Sequence, residues 1–223
     1  PAPGLRPYRQ PVLAGEKVRH AGEAIAAVVA ADPYRVADAV ERIVIEYEPL
    51  PVASTPPVAL SRDAPLVHDE WPDNLAGRSV GGTGDATAGF AGAEVIVEAR
   101  LAYPRVAGMP IETRGVLAVP DAVTGLLTVW ISTQVPFAVR SAIATILSLP
   151  EERIRVIVPD VGGGFGVKGH VYPEDLLVPA VARRLGCPVK WVEGRREHFL
   201  AAAADRDQEH EARLGLRRDG AIV

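Results

Sequence analysis

The chain has 223 residues, with 24 lysines and arginines against 28 aspartates and glutamates, for a formal net charge of -4. At 48% hydrophobic and 23% charged it has the make-up of a folded globular protein, with neither a basic stretch suited to nucleic acid nor an apolar run able to span a bilayer. Its single cysteine, Cys187, excludes an internal disulfide or a thiolate metal cage made by this chain alone, and a reducing cytoplasm is the expected location.

With 21 glycines, 20 prolines and only 5% aromatics, many turns, short elements and an aliphatic core are expected. Residues 23–48 predict a strand–helix–strand unit. Glu23 to Ala30 is the first strand, Asp32 and Pro33 cap a helix running to about Arg42, and Ile43 to Tyr47 is the second strand. Pro49, Pro51, Pro56, Pro57 and Pro65 then crowd one stretch and predict a linker or extended wrap without regular structure. The second half restarts at Gly81-Gly82-Thr83-Gly84-Asp85. A long strand is expected over 94–103 and a hairpin over 116–119 and 126–132, turning at Pro120-Asp121 and Gly125.

A helix is expected from Pro136, with Val139, Ile143, Ile146 and Leu147 on one face, followed by a strand over 154–158. Another helix should run from Pro173 to Leu185. Glu174 and Asp175 sit at its positive end, Arg183 and Arg184 at its negative end, Pro179 should kink it, and Gly186 should end it. Arg218-Asp219-Gly220 reads as a turn into the apolar triplet Ala221-Ile222-Val223, a strand just starting. With Pro1 in place of an initiator methionine, this predicts an internal piece of a longer protein.

The segment most suggestive of chemistry is Asp160-Val161-Gly162-Gly163-Gly164-Phe165-Gly166-Val167-Lys168-Gly169, between a strand and a helix. A loop so poor in side chains lets backbone N–H groups approach an oxyanion or a bulky cofactor. Gly164 to Gly169 also satisfies the dinucleotide pattern G-x-G-x-x-G, although the next helix is expected only near Pro173. A phosphate loop is excluded, because Val167 precedes Lys168 and Gly169 follows it. A glycine-rich turn without function is the third reading, against which Phe165 would be an oddly exposed aromatic.

The run Val158 to Lys168 resembles the molybdenum-cofactor loop of the xanthine dehydrogenase / aldehyde oxidase family, especially the large subunits of the aerobic carbon monoxide dehydrogenase type. Three further regions are similar and stand in the family's order. Residues 15–53, with Gly15-Glu16-Lys17-Val18-Arg19 leading into Gly22-Glu23, resemble its a/b hammerhead domain. Pro110-Ile111-Glu112-Thr113-Arg114-Gly115 is similar to P-x-E-x-R-G, and Ser132-Thr133-Gln134-Val135-Pro136 to S-T-Q-x-P. Val189 to Glu193 with Arg196 to Phe199 resembles the segment after the loop.

The resemblance implies an α+β fold: a hammerhead-like domain with its proline-rich linker over 1–70, then the first part of a molybdenum-cofactor-binding domain over 71–223. It implies cofactor contacts by Gln134, toward the metal's apical oxygen, and by Phe165 and Gly166, against metal and pterin, with Gly163 and Gly164 beside them. Arg206 falls where some relatives orient substrate. The cofactor implied is molybdenum-molybdopterin in its cytosine dinucleotide form. FAD and 2Fe-2S clusters are implied on partner subunits, in a dimer of heterotrimers.

By the same resemblance the activity is oxidation of an aldehyde, an N-heterocycle or carbon monoxide with water as oxygen source. The base, a glutamate, is implied beyond Val223, so no catalytic residue is assigned. Gly169-His170 stands where purine- and aldehyde-oxidising relatives often place a substrate-binding glutamate, which disfavours purine oxidation. Two other readings stand beside this one: a small nucleotide-binding α/β module using Gly164 to Gly169, and a non-catalytic truncated relic.

Overall fold

The computed structural model of the chain describes residues 4–223. The chain gathers into two compact units that do not follow chain order. One combines the stretch up to Arg9 with Glu48–Val106 and Arg206–Val223, and the other combines Gln10–Tyr47 with Ala107–Asp205.

The second unit contains a four-stranded sheet. Its strands are β2 (Gly115–Pro120), β3 (Leu127–Ile131), β4 (Ile154–Ile157) and β5 (Val189–Val192), in the order β4-β3-β2-β5. β2 and β3 form the expected hairpin, paired antiparallel from Val116↔Ile131 to Pro120↔Leu127. Asp121 closes its turn by accepting from the N–H groups of Val123 and Thr124. β3 and β4 run parallel, Leu127↔Ile154 to Trp130↔Ile157, and β5 lies antiparallel to β2. Residues of alternate parity point to opposite faces, and one face is buried: Val116, Ala118, Leu127, Val129, Ile131 and Ile154. Two helices cover it, α4 (Pro136–Leu147) with Val139, Ile143 and Ala144, and α5 (Pro173–Leu185) with Val178 and Ala182.

Both helices start where the sequence signals predict. Proline at the first helical position forfeits an N–H that would be unpaired anyway. α4 ends at a left-handed Ser148 and α5 at a left-handed Gly186. Within α5, Pro179 is almost wholly buried against the core.

The amino-terminal part of this unit differs from expectation. Helix α1 (Pro33–Glu41) forms, with the Asp32 carboxylate accepting from Arg35 N at 2.9 Å. Neither flanking segment is a strand: 23–30 and 43–47 carry no ladder. Their apolar content is right for strands, but a strand exists only through a paired neighbour, and among the described residues none pairs with them.

In the first unit, β1 (Val95–Tyr103) pairs antiparallel with β6 (Gln208–Leu216) over nine residue pairs, Val95↔Leu216 to Tyr103↔Gln208. The expected strand over 94–103 is present, but every β1 residue is exposed. After β6, Arg217 N donates to Ala221 O across the Asp219-Gly220 turn, and Ile222 bridges back to Leu216. The proline-rich stretch holds one regular element contrary to expectation. α2 (Pro56–Ala59) is a single turn capped by Thr55, because Pro56 and Pro57 occupy the two positions that need no helical N–H bond. A further short helix, α3 (Ala86–Ala91), starts at Asp85, which the glycine-rich restart gave no reason to expect.

Candidate functional site

Strand directions gather the sequence motifs. β3 and β4 are parallel, so the segments leaving them, 132–135 and 158–169, emerge at one edge of the sheet. β2 is antiparallel to β3, so the segment entering it, 110–114, meets them there. β5 is antiparallel to β2, so 193–199 leaves from the same edge. Such a convergence beyond the carboxyl ends of parallel strands is where open α/β sheets place ligands.

Gln134 extends its side chain beneath the glycine-rich loop, and its Oε1 accepts from Gly166 N at 3.1 Å. Gln134 N donates to Lys168 O at 2.8 Å, and Thr133 Oγ1 donates to the same carbonyl at 3.2 Å. A β-carbon on Gly164 would lie 2.6 Å from Gln134 Oε1, so only glycine lets the carboxamide in. Phe165 and Gly166 follow with φ of 49° and 84°, in the left-handed region. Phe165 is 75% exposed, and a β-carbon on Gly166 would meet nothing within 4 Å. The loop thus turns bare backbone and one aromatic ring outward.

Behind the loop, Glu112 Oε2 accepts three hydrogen bonds: from Lys168 Nζ at 2.6 Å, Ser132 Oγ at 2.7 Å and Gly162 N at 2.8 Å. The Lys168 side chain is wholly buried. Burial pushes the Glu112 carboxyl up, but the donors Lys168, Ser132 and Gly162 outweigh it and hold it below the usual range.

Arg114 is the centre of a second cluster. Its Nε and Nη2 both reach Glu193 Oε1, at 2.9 and 2.7 Å, and its Nη1 reaches Glu174 Oε2 at 3.0 Å. The guanidinium also lies 3.7 Å from the centre of the Tyr172 ring. Glu193 Oε2 meets His198 Nδ1 at 2.9 Å, and His198 Nε2 meets the Gly108 carbonyl at 2.8 Å, so both ring nitrogens face acceptors. Burial drives the Glu193 carboxyl up, but Arg114 more than reverses this and leaves it low. Asp175, 3% exposed, accepts from Tyr172 N at 2.9 Å, and burial pushes its carboxyl up to about 7.

The molybdopterin cofactor-binding domain family matches residues 67–223. The chain belongs to that family. The a/b hammerhead domain of aldehyde oxidase and xanthine dehydrogenase matches residues 3–51 of this family member. It is 38% identical to the carbon monoxide dehydrogenase large chain of Hydrogenophaga pseudoflava, over 95% of its own length and 28% of the relative's. It is 37% identical to the 6-hydroxypseudooxynicotine dehydrogenase complex subunit gamma of Paenarthrobacter nicotinovorans, over 98% and 27%. The solved quinoline 2-oxidoreductase of Pseudomonas putida 86 superposes with a TM-score of 0.92 at 37% identity, covering 99% of this chain and 28% of that one. The chain therefore spans under a third of the length of these relatives.

In this molybdopterin cofactor-binding domain chain, Gln134, Gly163, Gly164, Phe165 and Gly166 stand together at the sheet edge. Arg206 does not join them within one unit. It opens the stretch that carries β6, with a left-handed φ of 67°. The dinucleotide pattern over Gly164 to Gly169 lacks its structural context: a 3-10 turn covers Val167–Gly169, and α5 begins only at Pro173. Glu174 and Asp175, read from sequence as helix-end charges, do more than that by pairing Arg114 and capping Tyr172. Reading the sequence missed the roles of Glu112, Lys168 and His198. The first two stand inside quoted motifs, which was the available signal, but their pairing spans 56 residues of chain. His198 likewise lies within the Arg196 to Phe199 run and is fully buried. Among the described residues no group of histidine, cysteine or carboxylate side chains could hold a metal ion, and no helix is long and apolar enough to cross a membrane.

Proposed function

We propose that this chain is part of the large subunit of a molybdenum hydroxylase, holding one wall of the molybdenum-cofactor site. The reading takes residues 1–70 as the hammerhead-like portion and 71–223 as the opening of the cofactor domain. The observation that carries it is the meeting of the Gln134 carboxamide and the Gly166 N–H at 3.1 Å on a loop that turns only glycine backbone and the Phe165 ring outward. With its Oε1 taken by the Gly166 N–H, the Gln134 carboxamide is fixed so that its Nε2 is the donor left to meet an oxygen atom of a bound group.

The residues fit the cofactor. A large planar group needs a surface without projecting side chains, which Gly163, Gly164 and Gly166 give, and an aromatic face to lie against, which Phe165 gives. A metal held through the cofactor's own sulfurs needs no protein ligands. When bound, the molybdenum-pterin group would supply the two-electron step that puts water-derived oxygen on the substrate. The chain's own residues bind and orient: Gln134 would donate through Nε2 to an oxygen atom, the Gly166 N–H holds the Gln134 carboxamide in place through Oε1, and Phe165 would shield one side from water. The relatives are named for carbon monoxide, 6-hydroxypseudooxynicotine and quinoline, which supports carbon monoxide or an N-heterocycle as substrate, with an aldehyde as the third class.

The cofactor is proposed in its cytosine dinucleotide form. With one cysteine the chain has too few thiolates to hold a 2Fe-2S cluster, so clusters and FAD are assigned to partner subunits, in a cytoplasmic dimer of heterotrimers.

The test is purification of the full-length chain with the subunits encoded beside it. Molybdenum should be present at about one per chain and CMP should be released on acid hydrolysis. Gly166→Asn, which tolerates the left-handed backbone at φ of +84°, should retain the fold, read by circular dichroism, and lower the metal content. Absence of molybdenum from the wild-type assembly would sink the reading, and saturable NAD or FAD binding by this chain would replace it with the nucleotide module.

A further inference from the structure

Glu112 lies at none of the positions proposed to contact the cofactor, yet it ties down both ends of the loop that does. Gly162 opens the loop and Lys168 closes it, and both are bound to one oxygen, Glu112 Oε2. The third donor to that oxygen, Ser132, belongs to the segment that carries Gln134. Lys168 is held at its other end too, because its carbonyl accepts from Gln134 N and Thr133 Oγ1. The backbone adds one more tie, Glu112 N to Gly162 O at 3.2 Å. One carboxylate oxygen thus joins both ends of the loop to the segment that carries Gln134, beside the backbone ties from 133–134 to Lys168. The loop's other bonds are local or near its carboxyl end: Val167 N to Gly164 O, Gly169 N to Gly166 O and Tyr172 Oη to Val167 O. Gly162 and the glycines after it thus depend on Glu112 at the amino end, where glycine has the most conformational freedom to lose.

We propose that Glu112 and Lys168 are a positioning pair that pins the glycine-rich loop and thereby holds the Gly166 N–H and the Gln134 carboxamide at one point. Glu112 is not the base of the reaction: its Oε2 is saturated by three donors, and its low proton affinity makes it a poor acceptor of a substrate proton. The chemistry explains the glycine as well. A β-carbon at position 162 would stand 2.6 Å from Glu112 Cβ, so the pin closes only on glycine. The pair's service to the cofactor rests on the function proposed above, whereas its hold on the loop does not.

The experiment is amide hydrogen exchange with mass spectrometry on the full-length chain in its assembly. Peptides over 160–169 are compared with peptides over β3 as internal control. Glu112→Gln keeps the shape and loses the charge. It should speed exchange in the loop by about tenfold, leave β3 unchanged, lower the molybdenum retained after gel filtration, and shift and broaden the electron paramagnetic resonance signal of the reduced metal. Should that variant fail to accumulate because Lys168 is left charged and buried, Glu112→Gln with Lys168→Met removes the buried charge, and should fold and show the same fast loop.

Wild-type loop exchange in whichever variant folds would overturn the proposal. A fast loop with wild-type metal content and an unaltered resonance signal would overturn its cofactor half. If the wild-type assembly holds no molybdenum, the proposed function falls while the exchange result still decides the pin.

Discussion

A β-carbon added at Gly164 would press on the Gln134 carboxamide, whereas one added at Gly22 would run into the Leu200–Ala201 backbone, with Ala201 N at 2.8 Å. A side chain can swing away and backbone cannot. Gly164→Ala should therefore cost only about 1 kcal/mol, the worth of the Gln134–Gly166 hydrogen bond it displaces. Gly22→Ala, at φ of +85°, should cost upwards of about 2 kcal/mol. Thermal denaturation of the two variants gives the order, and the reverse order would show that the loop at 164 is rigid beyond what its contacts indicate.

Asp175 offers a pH test. Its folded-state carboxyl titrates at about 7 against an ordinary 3.8, so the protonated form is the one that suits the fold. Its contribution to stability is complete below the lower value and lost as pH rises through the upper one. Asp175→Asn keeps an acceptor for Tyr172 N and removes the titration. The melting-temperature gain of that variant should be near zero at about pH 4 and positive at about pH 8. A gain that does not change with pH would contradict the burial-driven shift.

At the scale of elements, the sheet edge is joined by charge as much as by packing. Arg114 precedes β2, Glu193 follows β5 and Glu174 opens α5, so one guanidinium links three elements. Arg114→Met leaves two carboxylates behind, one of them fully buried, and should cost about 3–5 kcal/mol in a urea titration. Arg114→Lys should recover less than half of that loss, because an ammonium can neither fork onto Glu193 nor lie flat on Tyr172.

The elements themselves were legible where the signal is local. Proline at a helix start with glycine past its end marked α5, and the turn residues at 120–125 marked the β2–β3 hairpin. They were not legible where the outcome depends on a partner. Segments 23–30 and 43–47 are apolar enough for strands, but pairing is a property of two segments and cannot be read from one. Similarly, the motif around Gln134 announced a loop contact, while the Glu112–Lys168 ion pair joins residues whose spacing carries no periodicity.

Across the molecule, order is unevenly supported. The four-stranded sheet has two helices on one face, whereas β1 and β6 form a two-stranded ribbon in which nearly every residue is exposed. An isolated two-stranded ribbon is marginal in water. With residues 1–223 produced alone, amides of 95–103 should exchange far sooner than those of 127–131, and equal protection would show the ribbon to be independently stable. The sheet also has a second edge, opposite the wall, formed by the turn at 121–126, the 148–153 segment and the 186–188 connection. Val123, 95% exposed at the tip of that turn, lies at the far end of every strand that leads to the loop. A reporter dye or an affinity handle placed there leaves the wall's geometry untouched, so occupancy of the glycine-rich loop can be followed in the working assembly from the quiet side of the sheet.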